Sequence, residues 1–349
     1  MNEAFKQAPE KKTTVKTIAH LIIASLISVA PLATAAETQS AKPNVVYILC
    51  DDLGYGDVQC LNPQRGKIKT PNLDQLAAQG MTFTDAHSGS SVCTPTRYGL
   101  LTGRYAWRTR LQSGVLDGYV EPLIAADRLT VPALLKQHGY HTACIGKWHL
   151  GFTIEGAGNK AGNKAGNKAG GKAGGKGKGE GAPLGAITHD GPVTRGFDEF
   201  FGFHHARMIK SVFENDRVTE ILEPVDMLPR LTQRATQHIA ERAKAGQAFF
   251  LYLPLNSPHT PIVPSQEWRG KSGLGDYADF VMETDWAIGE VPRPAHTLGQ
   301  CGNIGGCAFA GFRVHLRSIR IVIACYGVKL MPRSDVILHA ARNDAGLKR

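Results

Sequence analysis

Apolar and polar positions along this chain fall into alternating blocks. Residues 44–49 read NVVYIL, β-branched and aromatic without polar alternation, the pattern of a strand buried on both faces in a parallel sheet. Thr70 then sets an N-cap before Pro71, and Leu73, Leu76 and Ala77 follow at helical spacing up to Gly80. Residues 81–83 predict a short strand. Thr130 and Pro132 open another helix with Leu134 and Leu135 as its apolar face, Gly139 ends it, and residues 142–145 predict the next strand. An amphipathic helix is predicted over 231–245, and AFFLYLPL at 248–255 reads as a second fully buried strand. Strands alternating with helices predict an α/β fold, a mostly parallel central sheet with helices on both faces.

Three stretches break this rhythm. Residues 1–36 carry Lys6, Lys11, Lys12 and Lys16 ahead of a mostly apolar run at 18–32 and the small-x-small triplet Ala33-Thr34-Ala35. That is the form of an export signal, and Pro31 within a short run argues against a spanning helix. Residues 158–179 repeat Gly, Lys, Ala and Asn with no apolar side chain larger than alanine, so an insertion over 152–183 cannot bury a face and is expected to be a flexible loop. Beyond 290 acidic residues nearly vanish, arginines rise and three cysteines fall within 25 positions. Residues 319–328 would suit a strand, but the change in composition predicts an atypical tail at 291–349, of the kind a reading-frame change produces. The expected layout is a signal peptide (1–36), a catalytic domain in two parts (37–151 and 184–290), the insertion between them, and the tail.

The formal charge of +10 first suggests a nucleic-acid partner. Residues 291–349, however, hold nine Lys/Arg against two Asp, and residues 151–183 hold six Lys against two Glu. The remainder is close to neutral, so no folded basic patch is expected and nucleic acid is excluded as a partner. The export signal implies a periplasmic or secreted protein, with no membrane span once the signal is cleaved. Seven cysteines in an oxidising compartment leave at least one unpaired or modified. No CxxC pair or Cys/His cluster at zinc spacing is present, which argues against structural zinc.

Ligands of open α/β sheets bind beyond the carboxyl ends of the strands. There NVVYILC runs into Asp51-Asp52, TACIG into Lys147-Trp148-His149, and AFFLYLPL into Asn256-Ser257-Pro258-His259. Cys93 follows the 81–83 strand and precedes the helix-like TRYGLLTG, so backbone N–H groups near it are expected to face an anion.

Cys93-Thr94-Pro95-Thr96-Arg97 with Gly99, Leu100, Leu101, Thr102 and Gly103 resembles the signature of the type I sulfatases. PNVVYILCDDLGYGDV, IGKWHLG, GFDEFFGF and NSPHTP resemble further landmarks of that family, in order over about 42–290. The resemblance implies the alkaline phosphatase superfamily fold. It implies that Cys93 is oxidised by a formylglycine-generating or equivalent sulfatase-maturing enzyme to formylglycine, whose hydrate is nucleophile and metal ligand. It implies that Asp51 and Asp52 hold a calcium ion, a hard cation that favours oxygen ligands. Arg97 would hold the hydrate, Lys147 a sulfate oxygen, His149 would deprotonate the second hydroxyl, and His259 would contact the sulfate and protonate the leaving oxygen. The reaction implied is hydrolysis of a sulfate ester on a small molecule or glycan. A thiolate attacking sulfur would leave a thiosulfate ester with no internal exit, whereas a geminal diol expels sulfate through its second hydroxyl. Phosphate or phosphonate ester hydrolysis and a non-catalytic truncated remnant are the alternative readings. The family's Asp-Asn-Gly, which supplies two further calcium ligands after the ETDWAIGEV helix, has no counterpart here, nor do its second lysine and C-terminal subdomain. Weak or absent activity and the loss of a sheet strand are therefore expected.

Overall fold

In the computed structural model the described residues are 42–83, 86–155, 181–291, 319–326 and 339–341, the last two segments by backbone alone. The strands form one sheet, in the order β5-β4-β3-β2-β6-β1-β7-β8. They are β1 Asn44–Asp51, β2 His141–Lys147, β3 Glu199–Phe203, β4 Ser211–Glu214, β5 Arg217–Ile221, β6 Phe249–Pro258, β7 Ile319–Tyr326 and β8 His339–Ala341. Pairing is parallel except for β3–β4 and β4–β5. The mostly parallel sheet expected from the alternating blocks is thus the architecture found. The turn at Asn215, a non-glycine residue at φ 56°, closes the antiparallel β4–β5 edge, which the apolar pattern did not predict because both strands are short and β5 is largely exposed.

Alternate residues of each central strand enter two cores. Val46, Ile48, Ala143, Ile145, Leu251 and Leu253 face one core; Leu49, Cys144, Phe250 and Tyr252 face the other. Helices α1 Pro71–Gln79, α4 Pro224–Ala245 and α5 Asp276–Glu290 cover the first face, contributing Leu73, Leu231, Ala235, Ile239, Val281 and Ile288. Helix α2 Cys93–Thr102 covers the second with Tyr98 and Leu101, and α3 Val131–Gln137 packs partly buried Leu135 there.

Two expectations change. Residues 81–83 form no strand; Met81 and Phe83 are exposed, so Cys93 is reached from an irregular loop. The helix predicted over 231–245 begins earlier, at Pro224, a residue suited to a first turn. The strand expected within 319–328 is present as β7, which pairs with β1 from Asn44↔Ile319 to Asp51↔Tyr326. The insertion's flanks are packed, with Phe152 and Ala182 buried, and the Glu155 N–H donates to the Ile187 carbonyl at 2.8 Å. The export signal and residues 156–180 of the insertion lie outside the described residues, as does most of the tail.

Candidate active site

Strands β2, β6 and β1 are neighbours at the centre of the sheet, so their carboxyl ends bring Asp51, Lys147 and His259 to one corner. Local irregularities aim these side chains. Asp52 and His149 are non-glycine residues at φ 63° and 56°, a left-handed conformation that costs on the order of 1–3 kcal/mol and clusters at functional sites. Against two residues of β1, from Leu49 to Asp51, strand β6 advances four, from Pro254 to Pro258. That bulge carries Asn256 and His259 out over the strand ends. Gly146, at φ 134°, lies so close to β6 that a Cβ would meet the Pro254 carbonyl oxygen at 2.0 Å. Only glycine allows β2 to deliver Lys147 there.

Asp51 is fully buried. Its Oδ2 accepts from the Lys147 ammonium and lies 3.3 Å from Arg97 Nη2; its Oδ1 faces Cys93 Sγ at 3.7 Å. Burial alone would raise the carboxyl's pKa, but Lys147, Arg97 and His259 outweigh it and hold Asp51 well below the usual carboxylate range. Arg97 Nη1 also donates to the Lys147 carbonyl at 2.6 Å, tying α2 to the end of β2. Asp52 shifts the other way: burial and its neighbour Asp51 both raise its pKa.

Cys93 is the first residue of α2, where N–H groups without helical partners and the helix dipole favour negative charge. Lys147 Nζ lies 3.5 Å from its sulfur. Burial raises the thiol's pKa, yet His259, Lys147 and Arg97 more than offset that and leave it below the ordinary value. Cys144, more deeply buried and without those partners in hydrogen-bond reach, is pushed up by its burial. The donor atoms of Asp51, Cys93 and His259 all lie within 4.8 Å of one another. His259 Nε2 is also 3.6 Å from Asp52 Oδ2. Burial lowers the imidazole's pKa, but the thiol and the two carboxylates raise it beyond compensation.

His149 is buried, with Nε2 2.8 Å from the Leu116 carbonyl oxygen. That oxygen only accepts, so Nε2 carries the proton and Nδ1, which has no partner among the described residues, keeps a lone pair. Burial, then Lys147, then His205 and His204, place its pKa well below the ordinary value, so the ring is neutral. The Leu116 N–H in turn lies 3.2 Å from Thr94 Oγ1. One strand of loop thereby links the residue after Cys93 to His149.

All seven residues singled out from the sequence therefore occur at this corner, in two groups: Asp51, Asp52, Cys93, Arg97, Lys147 and His259 in mutual contact, and His149 beside Lys147. The sequence reading missed His204 and His205, which directly follow β3. His205 packs edge-on against His149 at 4.3 Å between ring centroids, and buried His204 packs on Phe152 at 4.7 Å. Their signal was the strand-end rule already used for β1, β2 and β6, applied to GFDEFFGF.

A mostly parallel sheet whose central carboxyl ends gather carboxylates, a cysteine at a helix start and fixed cations defines the class: an α/β protein with a candidate site at the strand ends. The sulfatase family profile matches residues 43–301, and the chain belongs to the sulfatase family. It is 31% identical over 293 residues to an N-acetylgalactosamine-6-O-sulfatase of Bacteroides thetaiotaomicron, covering 74% of this chain and 56% of that one. It is 34% identical over 276 residues to arylsulfatase A of Bos taurus, covering 78% and 52%. A solved structure from work on the metabolism of multiple glycosaminoglycans by Bacteroides thetaiotaomicron aligns with a TM-score of 0.61 at 28% identity, over 73% of this chain and 59% of that one. The chain spans about half the length of the curated relatives it matches.

Proposed function

We propose that the chain is a sulfuric ester hydrolase that acts through a formylglycine made from Cys93. The observation that carries this reading is the buried group of Asp51, Cys93, Arg97 and Lys147: one anion set among two cations at the start of a helix. Transfer of a sulfuryl group builds negative charge on the oxygens around sulfur, and fixed cations in a water-poor corner stabilise that charge. Lys147 and Arg97 are already oriented by Asp51 and by the Lys147 carbonyl. His149 is neutral, with a lone pair on Nδ1, as a general base must be. His259 carries a raised pKa and presents Nε2 to the same corner, which suits proton donation to a leaving oxygen.

The metal test gives a partial fit. Both cations converge on Oδ2 of Asp51, while Oδ1 turns toward Cys93, and Asp52 stands next to it. Two carboxylates and an oxygen-bearing residue 93 match the preference of calcium for hard oxygens, whereas an unmodified thiol does not. When bound, calcium would offset sulfate charge and acidify a coordinated hydroxyl. It takes six to eight oxygens, and the Asp-Asn-Gly that completes the family's set has no counterpart in the sequence. Weak calcium binding and slow turnover follow.

Substrates follow from the relatives: one is named for N-acetylgalactosamine-6-sulfate, and one structure at 25% identity holds a neocarrahexaose. A sulfated sugar is the class proposed here. Among the described residues no helix is long and apolar enough to cross a membrane. The 1–36 signal reading supports export to the periplasm or outside the cell, and a sulfatase-maturing enzyme would act on Cys93 before folding.

The test is expression with a maturing enzyme, mass analysis of the Cys93 peptide, and assay on a chromogenic aryl sulfate, its phosphate analogue and sulfated disaccharides. Expected are a peptide lighter by about 18 Da, slow sulfate release that rises with added calcium, and no release by Cys93→Ala. A fully converted peptide with no calcium-dependent sulfate release, or faster cleavage of the phosphate analogue, overturns the reading.

A further inference from the structure

At the opposite end of strands β2 and β3, roughly 20 Å from the Lys147 end at about 3.3 Å per residue, three metal-ligating side chains meet that the sequence spreads over nearly a hundred positions. His141 opens β2, Glu199 opens β3, and His238 projects from the middle of α4. His141 Nε2 lies 3.2 Å from Glu199 Oε1, and His238 Nδ1 lies 3.3 Å from Glu199 Oε2. All three donor atoms fall within 4.8 Å of one another. We propose that His141, Glu199 and His238 form a second metal site, for a borderline divalent ion of the zinc type, clamping the start of two strands to α4.

The distances carry the argument. A charge-assisted N–H···O contact settles at about 2.7–2.9 Å, and both histidine contacts are longer. Ligands arranged tetrahedrally around an ion at bonds of about 2.0–2.1 Å stand about 3.3 Å apart; each histidine nitrogen stands at about that distance from its own oxygen of Glu199, Oε1 for His141 and Oε2 for His238, as around a carboxylate that offers both oxygens to one ion. Glu199 meanwhile has a normal short contact where no metal is needed: Arg234 Nη2 donates to Oε2 at 2.9 Å. That arginine fixes the carboxylate from behind, in the manner of outer partners that orient metal ligands, and leaves Oε1 toward His141. The backbone is also anchored, since the His141 N–H donates to the Ala248 carbonyl at 2.9 Å. The His141 and Glu199 side chains retain 15% and 25% exposure, enough to admit an ion and leave a water position, while the His238 side chain is fully buried.

Two imidazoles and one carboxylate suit zinc, copper or nickel and not calcium. Arg234 and Arg242 add positive charge nearby, and the far ring nitrogens, His141 Nδ1 and His238 Nε2, have no acceptor among the described residues. The affinity is therefore modest, and the ion is reversible.

The test titrates the full chain with Co2+ alone and then with competing Zn2+, independently of any sulfatase assay. Expected is a visible d–d spectrum saturating at one equivalent, without thiolate-to-metal charge transfer, bleached by zinc. Binding should weaken at least about tenfold in His141→Asn and in Glu199→Gln and stay unchanged in Cys93→Ala. The partly exposed His141 variant decides the outcome should Glu199→Gln fail to give native circular dichroism. No d–d spectrum, thiolate bands, or binding indifferent to His141→Asn overturns the site.

Discussion

Lys147 and Asp51 show how one residue position can be set by chemistry instead of stability. Both are buried, and with Arg97 they take two cations and one carboxylate out of water. Apolar residues of the same volume usually stabilise as much as such a buried ionic group, so stability alone does not account for it. Truncating one partner is another matter, since it strands a buried charge. Lys147→Met should cost about 3–5 kcal/mol in chemical denaturation, and adding Asp51→Asn should restore much of it. If the double variant is as unstable as the single one, the pair is not the source of the loss. This cluster was legible residue by residue, since Asp51, Lys147 and Arg97 all lie next to recognisable strand or helix patterns. The conformation of Asp52 and His149 was not: nothing in the types Asp and His demands φ near 60°, which the fold around them imposes.

Strands and helices were readable where burial made their sequences uniform. β1, β2 and β6 are apolar on both faces because helices cover both, and each gave a run without polar interruption. β4 and β5 gave no such run, since β4 is only four residues long and β5 is largely exposed. At 81–83 the apolar side chains mimic a strand although Met81 and Phe83 are exposed. Glu283 and Asp285 belong to this scale as well. The Asp285 carboxylate accepts from the Leu73 N–H at 2.8 Å and the Asn72 N–H at 3.1 Å, so it caps α1 from a distant helix, and Glu283 accepts from the Ser265 N–H at 2.9 Å. In the sequence they were only part of the ETDWAIGEV helix, with no role of their own. Asp285→Ala should therefore cost about 1–2 kcal/mol of stability, as loss of a helix cap does, and leave calcium binding unchanged. A loss of calcium affinity without a loss of stability would contradict the cap. At the β2–β6 contact, Gly146→Ala would push a methyl into the Pro254 carbonyl, and its failure to destabilise would refute the close approach that places Lys147.

Across the whole molecule, the active corner is bordered by three histidines that the fold keeps uncharged. Burial lowers the pKa of His204 to about 3 and that of His205 to about 4; His149 is lowered for the same reason. An unfolded chain protonates such groups near 6.5, so below that pH the unfolded state binds more protons than the folded one. The stability they contribute is whole above 6.5 and falls as pH drops toward the folded values, by about 1.4 kcal/mol per pH unit for each histidine. Asp51 acts in the same sense but far lower in pH: its folded value lies under the usual carboxylate range, so its contribution is lost only as pH falls through that range. Between pH 6.5 and 4.5 the histidines therefore set the slope. His204→Phe keeps an aromatic ring against Phe152 and removes one titrating group. Its urea-unfolding free energy, followed from pH 7 to 4.5, should fall less steeply than that of the unsubstituted chain by about 1.4 kcal/mol per unit. An unchanged slope would mean that His204 is protonated inside the fold, and the neutral corner on which His149 depends as a base would have to be given up.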